Sequence, residues 1–121
     1  MPRRITHFQQ DQLDRVARFA DADGDRLQLR VADTAERNCR DVPTEVFFPA
    51  TDEYSDQQAR LTERLRIQQQ CRGCPVADEC LAGALLRGER FGGWGGVAQP
   101  DFQAIGRLFR TRHKRRQEEA A

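Results

Sequence analysis

Cys71-Arg72-Gly73-Cys74-Pro75-Val76-Ala77-Asp78-Glu79-Cys80 gathers three of the chain's four cysteines into ten residues. A two-residue gap lets the first two sulfurs face one centre around a tight turn, and Gly73 permits that turn. Pro75 suits the first position of a helix. A helix over roughly 75–87 then carries Cys80 one turn in, on the side of the other two sulfurs. Val76, Leu81, Ala84 and Leu85 share its apolar positions, and Gly88 stops it. The fourth cysteine, Cys39, is separated from Cys71 by thirty-one residues. If it joins the other three, ligation ties the two halves of the chain together.

The composition makes such a tie useful. Of 121 residues, 38% are hydrophobic and 32% are charged, a thin core for this length, and small domains with little apolar area often rely on a metal or disulfide. No window has the apolar length of a membrane helix. The opening Met1-Pro2-Arg3-Arg4 is not followed by the apolar core of a secretory signal. A cytoplasmic location is therefore expected, where thiols stay reduced and metal ligation or redox chemistry outranks a disulfide framework. Soft thiolates suit zinc or an iron–sulfur cluster. Four-cysteine zinc sites usually pair two close couples, whereas three neighbours plus one distant cysteine suit a cubane with one ligand per iron. Spacing alone favours the cluster and leaves zinc open. It also leaves a redox-active disulfide open, because Cys71-x-x-Cys74 adjoins Arg72 and a helix start, both of which lower a thiol pKa. That alternative is a thiol–disulfide oxidoreductase using Cys71 and Cys74 in the metal-free form, although no βαβ pattern accompanies the motif.

Outward from the cysteines the periodicity is helical. Residues 7–20 place Leu13, Val16, Ala17 and Ala20 on one face. Asp21-Ala22-Asp23-Gly24-Asp25 fails the calcium-loop test, with glycine fourth and Ala32 at the twelfth position, and reads as a solvated turn. Leu27, Leu29 and Val31 alternate as in a short strand or extended arm, so residues 1–32 are expected to form a partly helical extension. A second helix is expected from Asp33 or Thr34, carrying Cys39 and ending at Pro43. The apolar knot Val46-Phe47-Phe48-Pro49 follows. A third helix opens at Ser55, where Ser55 and Gln58 form a capping-box pattern, with Ala59, Leu61, Thr62 and Leu65 facing inward. Phe91-Gly92-Gly93-Trp94-Gly95-Gly96 demands a turn with positive φ or close backbone approach. Pro100 opens a fifth helix with the stripe Phe102, Ile105, Leu108 and Phe109, and Gln117-Glu118-Glu119 is expected to fray. His7 and His113 have no ligand spacing with the cysteines and are read as surface residues. The expected fold is all-α: four to five short helices organised around a four-cysteine iron–sulfur cluster, with an extension over 1–32, a cluster-binding domain over 33–98 and a basic helix and tail over 99–121.

Charge is uneven although the net value is only +1. Residues 31–60 carry three Arg against seven Asp or Glu, whereas residues 107–116 carry six basic residues and no acid. Arg107, Arg110, Arg112, Lys114, Arg115 and Arg116 are therefore candidate DNA-contacting residues on electrostatic grounds.

Cys39, Phe47-Phe48-Pro49, Cys71-x-x-Cys74, Cys80, the glycine–tryptophan turn and the basic tail together resemble the WhiB-like regulators of actinobacteria and their phages, over about residues 33–116. The resemblance implies a transcriptional regulator rather than an enzyme, with one four-iron four-sulfur cluster on Cys39, Cys71, Cys74 and Cys80 that responds to redox state or nitric oxide. It implies docking, as a monomer within the complex, on the C-terminal region of the primary sigma factor of RNA polymerase through Phe47, Phe48, Trp94, Gly95 and Gly96. It implies promoter DNA as the contact of the basic tail, and no membrane partner. Loss of the cluster would free thiols that can oxidise to disulfides. The chain departs from the family pattern at Gly93, where Val or Ile is usual and a looser turn is expected, and at Asp33, where many members have Trp.

Overall fold

Thr6 accepts a hydrogen bond from the Gln9 N–H while the Gln9 side chain accepts from the Thr6 N–H, both at 3.1 Å, and this reciprocal cap opens helix α1, His7–Val16. The computed structural model describes residues 4–50 and 54–120; residues 1–3, on which part of the targeting reading rests, and residues 51–53 and 121 lie outside the described residues. A short 3₁₀ turn, Ala17–Phe19, follows α1. Asp23 then caps α2, Gly24–Asp33, by accepting from the N–H groups of Asp25 and Arg26. A second 3₁₀ turn spans Thr44–Phe47. The remaining helices are α3, Gln57–Cys71, α4, Ala77–Arg87, and α5, Asp101–Ala120. The fold is all-α, with no strand among the described residues.

Helix α4 forms the centre. Leu81, Ala82, Ala84 and Leu85 on α4 pack with Leu13 and Val16 of α1, Leu27 of α2 and Phe102, Ile105 and Phe109 of α5. The first third of the chain is thus a wall of the core and not an extension. Its second element is a helix where an extended arm was expected. Only Leu27 of the three alternating residues is buried, while Leu29 is 62% exposed. The Asp23 cap satisfies the first helical N–H groups, and the Arg87 guanidinium bonds the Gly24 carbonyl at 3.1 Å, clasping α2 to α4. Leu27→Ala should therefore destabilise the protein by about 2–5 kcal/mol, the range for large-to-small core changes, in anaerobic denaturant unfolding. A change below about 0.5 kcal/mol would fit a detached extension.

Further expectations need correction. Residues 34–43 hold turns, not a helix: the Thr34 hydroxyl donates to the Arg30 carbonyl at 2.7 Å and so ends α2 rather than starting a new helix. Helix α3 is capped by Asp56, whose side chain accepts from the Ala59 N–H at 2.8 Å, in place of Ser55. Its inward residues are Glu63 and Ile67, four apart, while Leu61, Thr62 and Leu65 face outward. Buried Glu63 is paired with Arg66, whose guanidinium also bonds the Val46 carbonyl at 2.6 Å. A charged pair thus takes the position expected of apolar residues and fixes the phenylalanine knot against α3. Helix α4 begins at Ala77, two residues after Pro75, and Gly88 stops it in the left-handed conformation. Helix α5 continues through residues 117–119, which were expected to fray.

Candidate metal centre

The four cysteines converge. Cys39, Cys71, Cys74 and Cys80 line a half-open cavity of about 320 Å³ with Asn38, Val42, Thr44, Phe47, Phe48, Ala77, Gly93, Trp94 and Gly95. All four thiols are free. They stand around the cavity rather than at one point, and among the described residues no three His, Cys, Asp or Glu groups are close enough to grip a single ion.

Each cysteine is positioned by a separate local device. Cys71 is the last residue of α3. From it a turn runs through Arg72, in extended conformation, and Gly73 at φ +74°, closed by the Cys74 N–H on the Cys71 carbonyl at 3.1 Å. These angles are those of a type II turn, which requires a positive φ at its third residue. Cys80 lies in the first turn of α4, its N–H bonded to the Val76 carbonyl. Cys39 is brought across the chain by its neighbour: the Asn38 amide donates to the carbonyls of Gln70 and Arg72, at 3.0 and 2.7 Å, on either side of Cys71.

The glycine turn closes the cavity. Trp94 and Val97 exchange two backbone hydrogen bonds of 3.0 Å, with Gly95 at φ +57° and Gly96 at φ +90° between them. Two consecutive positive φ angles define a type I′ turn. The turn aims its N–H groups inward, Gly95 toward the Cys80 sulfur and Gly96 toward the Cys71 sulfur. Gly95 is itself buried, so it does not belong to an outer contact surface. Gly93 is not loose: its N–H bonds the Phe47 carbonyl at 2.6 Å, and its α-carbon backs onto Ile67, so that a β-carbon there would stand 3.2 Å from the Ile67 side chain. Ile67 fills the space that a larger residue at 93 would need.

Aromatic groups form the outer lip. Phe48 meets Trp94 edge-on at 6.0 Å, and Trp94 lies tilted against Phe102 at 6.3 Å. The Trp94 indole N–H donates to the Phe91 carbonyl at 2.7 Å, and the Arg87 guanidinium lies over the ring. Phe48 is 44% exposed and Phe91 67%, so the lip presents apolar surface outward.

Burial pushes the Cys71 thiol up to about 11 and the Cys80 thiol up to about 12, opposed by the Gly96 and Gly95 N–H groups and reinforced by the other cysteines. The lowering expected at Cys71 from Arg72 is absent because Arg72 points to solvent and Cys71 ends a helix instead of starting one. Both thiols are protonated at neutral pH when nothing is bound. That is a poor starting point for a thiolate nucleophile, and a metal must displace these protons. Four soft donors around an apolar cavity, with peptide N–H groups aimed at two sulfurs, fit an iron–sulfur cluster.

On α5, Arg107, Arg112, Lys114, Arg115 and Arg116 are exposed and Arg110 half-buried. The Arg110 guanidinium is lowered by burial and by Arg90 and Arg107, so the patch also takes in Arg90 from the segment before the glycine turn. Arg112 touches Gln10 at 3.3 Å and Arg116 pairs with Asp21 at 3.4 Å. His7 is exposed, while His113 stacks on Phe109 at 5.7 Å. Sequence reading missed Arg15, Asn38, Glu63, Arg66 and Arg90. Of these only Asn38, adjacent to the isolated cysteine, carried a local signal.

The profile of a family described as transcription factor WhiB matches residues 34–117. The redox-responsive transcriptional regulator WhiB3 of Mycolicibacterium smegmatis is 36% identical over 67 residues, covering 55% of this chain and 68% of that protein. The redox- and pH-responsive transcriptional regulator WhiB3 of Mycobacterium tuberculosis is 35% identical over 80 residues, covering 64% and 76%. The transcriptional regulator WhiB1 of Mycobacterium tuberculosis is 35% identical over 69 residues, covering 57% and 77%. No solved structure matches. No helix among the described residues is long and apolar enough to cross a membrane.

Proposed function

Because the chain belongs to the WhiB family of transcription factors, we propose that it is a redox-responsive transcription regulator whose Cys39, Cys71, Cys74 and Cys80 hold one four-iron four-sulfur cluster. The observation that carries this reading is the convergence of four cysteines, from two separate stretches of chain, on one cavity of about 320 Å³. Among the described residues no three His, Cys, Asp or Glu groups stand close enough to grip a single ion, whereas four thiols spread around the cavity suit a larger inorganic core with one ligand per iron. Bound there, the cluster supplies redox chemistry and sensitivity to oxygen and nitric oxide. The four cysteines would bind it, the Gly95 and Gly96 N–H groups would hydrogen-bond the Cys80 and Cys71 sulfurs, and Trp94, Phe47 and Phe48 would cover part of it. A half-open lip suits a sensor, since a small oxidant enters while bulk solvent is held back.

The partners follow from the two remaining surfaces. The apolar lip of Phe47, Phe48 and Trp94, with Gly96 at its margin, is the docking surface for the C-terminal region of the primary sigma factor; aromatic side chains at a desolvated centre commonly dominate such contacts. Gly95 acts from inside by shaping the lip. Arg107, Arg110, Arg112, Lys114, Arg115 and Arg116 meet promoter phosphates. Protein isolated without air should contain about four iron and four sulfide per chain by the one-ligand-per-iron count, and should retain the sigma region on a column. A compactly folded chain free of iron and sulfide overturns the reading. With five of these six in contact with phosphate, including Arg112, Lys114, Arg115 and Arg116, the logarithm of DNA affinity should fall against the logarithm of salt with a slope of about −4.5. Neutralising Arg112, Lys114, Arg115 and Arg116 together should reduce that slope to about −1 in a fluorescence-anisotropy titration, with iron content unchanged.

A further inference from the structure

Arg15 lies on α1, outside the family-matched segment 34–117, yet its side chain reaches the cysteine site. All three guanidinium nitrogens are engaged. Nε donates to the Asp78 carboxylate at 2.8 Å, Nη1 to the Gln12 side chain at 2.6 Å and Nη2 to the Gly95 carbonyl at 2.9 Å. Asp78 lies in the first turn of α4, two residues before Cys80. The side chain is 27% exposed, so a rigid fork clamps the glycine turn to both α1 and α4.

The Gly95 carbonyl and the Gly96 N–H are opposite ends of one peptide group. The carbonyl accepts from Arg15, and the N–H is aimed at the Cys71 sulfur. Peptide resonance couples the two ends. A cation on the oxygen draws electron density from nitrogen and makes the N–H a stronger donor, as in any chain of polarised hydrogen bonds. We propose that Arg15 is a positioning residue which, through the Gly95–Gly96 peptide, strengthens the hydrogen bond to the Cys71 sulfur and so raises the reduction potential of the metal centre. The proposal rests on the cluster reading above. The sign follows from charge: a donor aimed at a ligand sulfur, with a positive group behind it, stabilises the form carrying the extra electron. A segment beyond the matched module thereby sets how readily the centre is oxidised.

The test uses the full chain isolated without air, as native protein, Arg15→Gln and Arg15→Lys. Iron and sulfide are counted first, and the visible absorbance is then followed in a mediated redox titration. At a fixed potential, Arg15→Gln should hold about tenfold less of the reduced form relative to the oxidised, a shift of about 59 mV downward for a one-electron couple. Arg15→Lys keeps the charge but not the fork, and should recover more than half of that shift. Arg15→Gln that retains its iron and titrates with the native protein overturns the proposal. An equal fall in both variants also overturns it, because packing and not charge would then be the cause. Should Arg15→Gln lose the cluster, Arg15→Lys decides: a native potential supports the relay, and loss of iron there too overturns it. A native chain without iron defeats the cluster reading itself, a separate result seen before any variant is titrated.

Discussion

Cys80→Ser is expected to yield protein with less than about one iron per chain and no cooperative unfolding transition under anaerobic conditions, the largest effect of any single substitution. A cubane takes one thiolate per iron, and serine is a hard, protonated donor that does not substitute for sulfur. Cys80, a proposed ligand on the helix that carries the core, is more deeply buried than Cys71. Its loss would leave the cavity between α3, α4 and the glycine turn without the group proposed to tie the four thiolates together. A group that binds only the native state adds its binding free energy to folding, and small metal-stapled domains commonly owe most of their stability to it, on the order of 10 kcal/mol for structural zinc. Iron and sulfide analysis with circular dichroism decides the matter. A full iron complement in Cys80→Ser would show that the fourth ligand lies elsewhere.

The second large effect is expected at Gly95. A β-carbon there would collide with the Ala77 carbonyl oxygen and lie 2.9 Å from the Leu81 β-carbon and 3.0 Å from its nitrogen. These are atoms of the first turns of α4, which do not move without moving Cys80. Positive φ adds roughly 1–2 kcal/mol for any residue with a β-carbon. Gly95→Ala should therefore cost about 4 kcal/mol or more, in the range reserved for severe steric and strain effects, and should release iron. Gly73 and Gly96 separate the two contributions. Both have positive φ, but a β-carbon at 73 meets nothing within 4 Å and one at 96 meets only the Cys71 β-carbon at 3.6 Å. Alanine at either should cost only the roughly 1–2 kcal/mol conformational term. Equal thermal midpoints for Gly95→Ala and Gly73→Ala would refute the steric account.

What was legible in the sequence was short in range. Cys71, Cys74 and Cys80 lie within one turn and one helix start, and the glycine segment advertises positive φ through composition, so the site could be assembled before its geometry was known. Elements decided by partners distant in the chain were not legible. Three alternating apolar residues over 27–31 have the period of a strand, and only the Asp23 cap and the Arg87 clasp make them a helix. Thr34 has the chemistry of a helix start, yet its hydroxyl turns back to end the helix before it. The stripe of α3 was misassigned because its core contact is narrow: Ile67 packs, and the charged pair of Glu63 and Arg66 does the rest. Arg15 was invisible for the same reason, since its partners Asp78 and Gly95 lie 63 and 80 residues away.

Helix α5 has no buried residue beyond Phe109, so its last eleven residues, 110–120, form a rod of roughly 16 Å at 1.5 Å per residue. A full turn of duplex DNA is about 34–36 Å long. A straight rod of that length spans about half a turn, and its protection footprint should cover about five base pairs on one side of the duplex. Under the proposed function, any longer operator would be measured out by the transcription machinery and not by this helix.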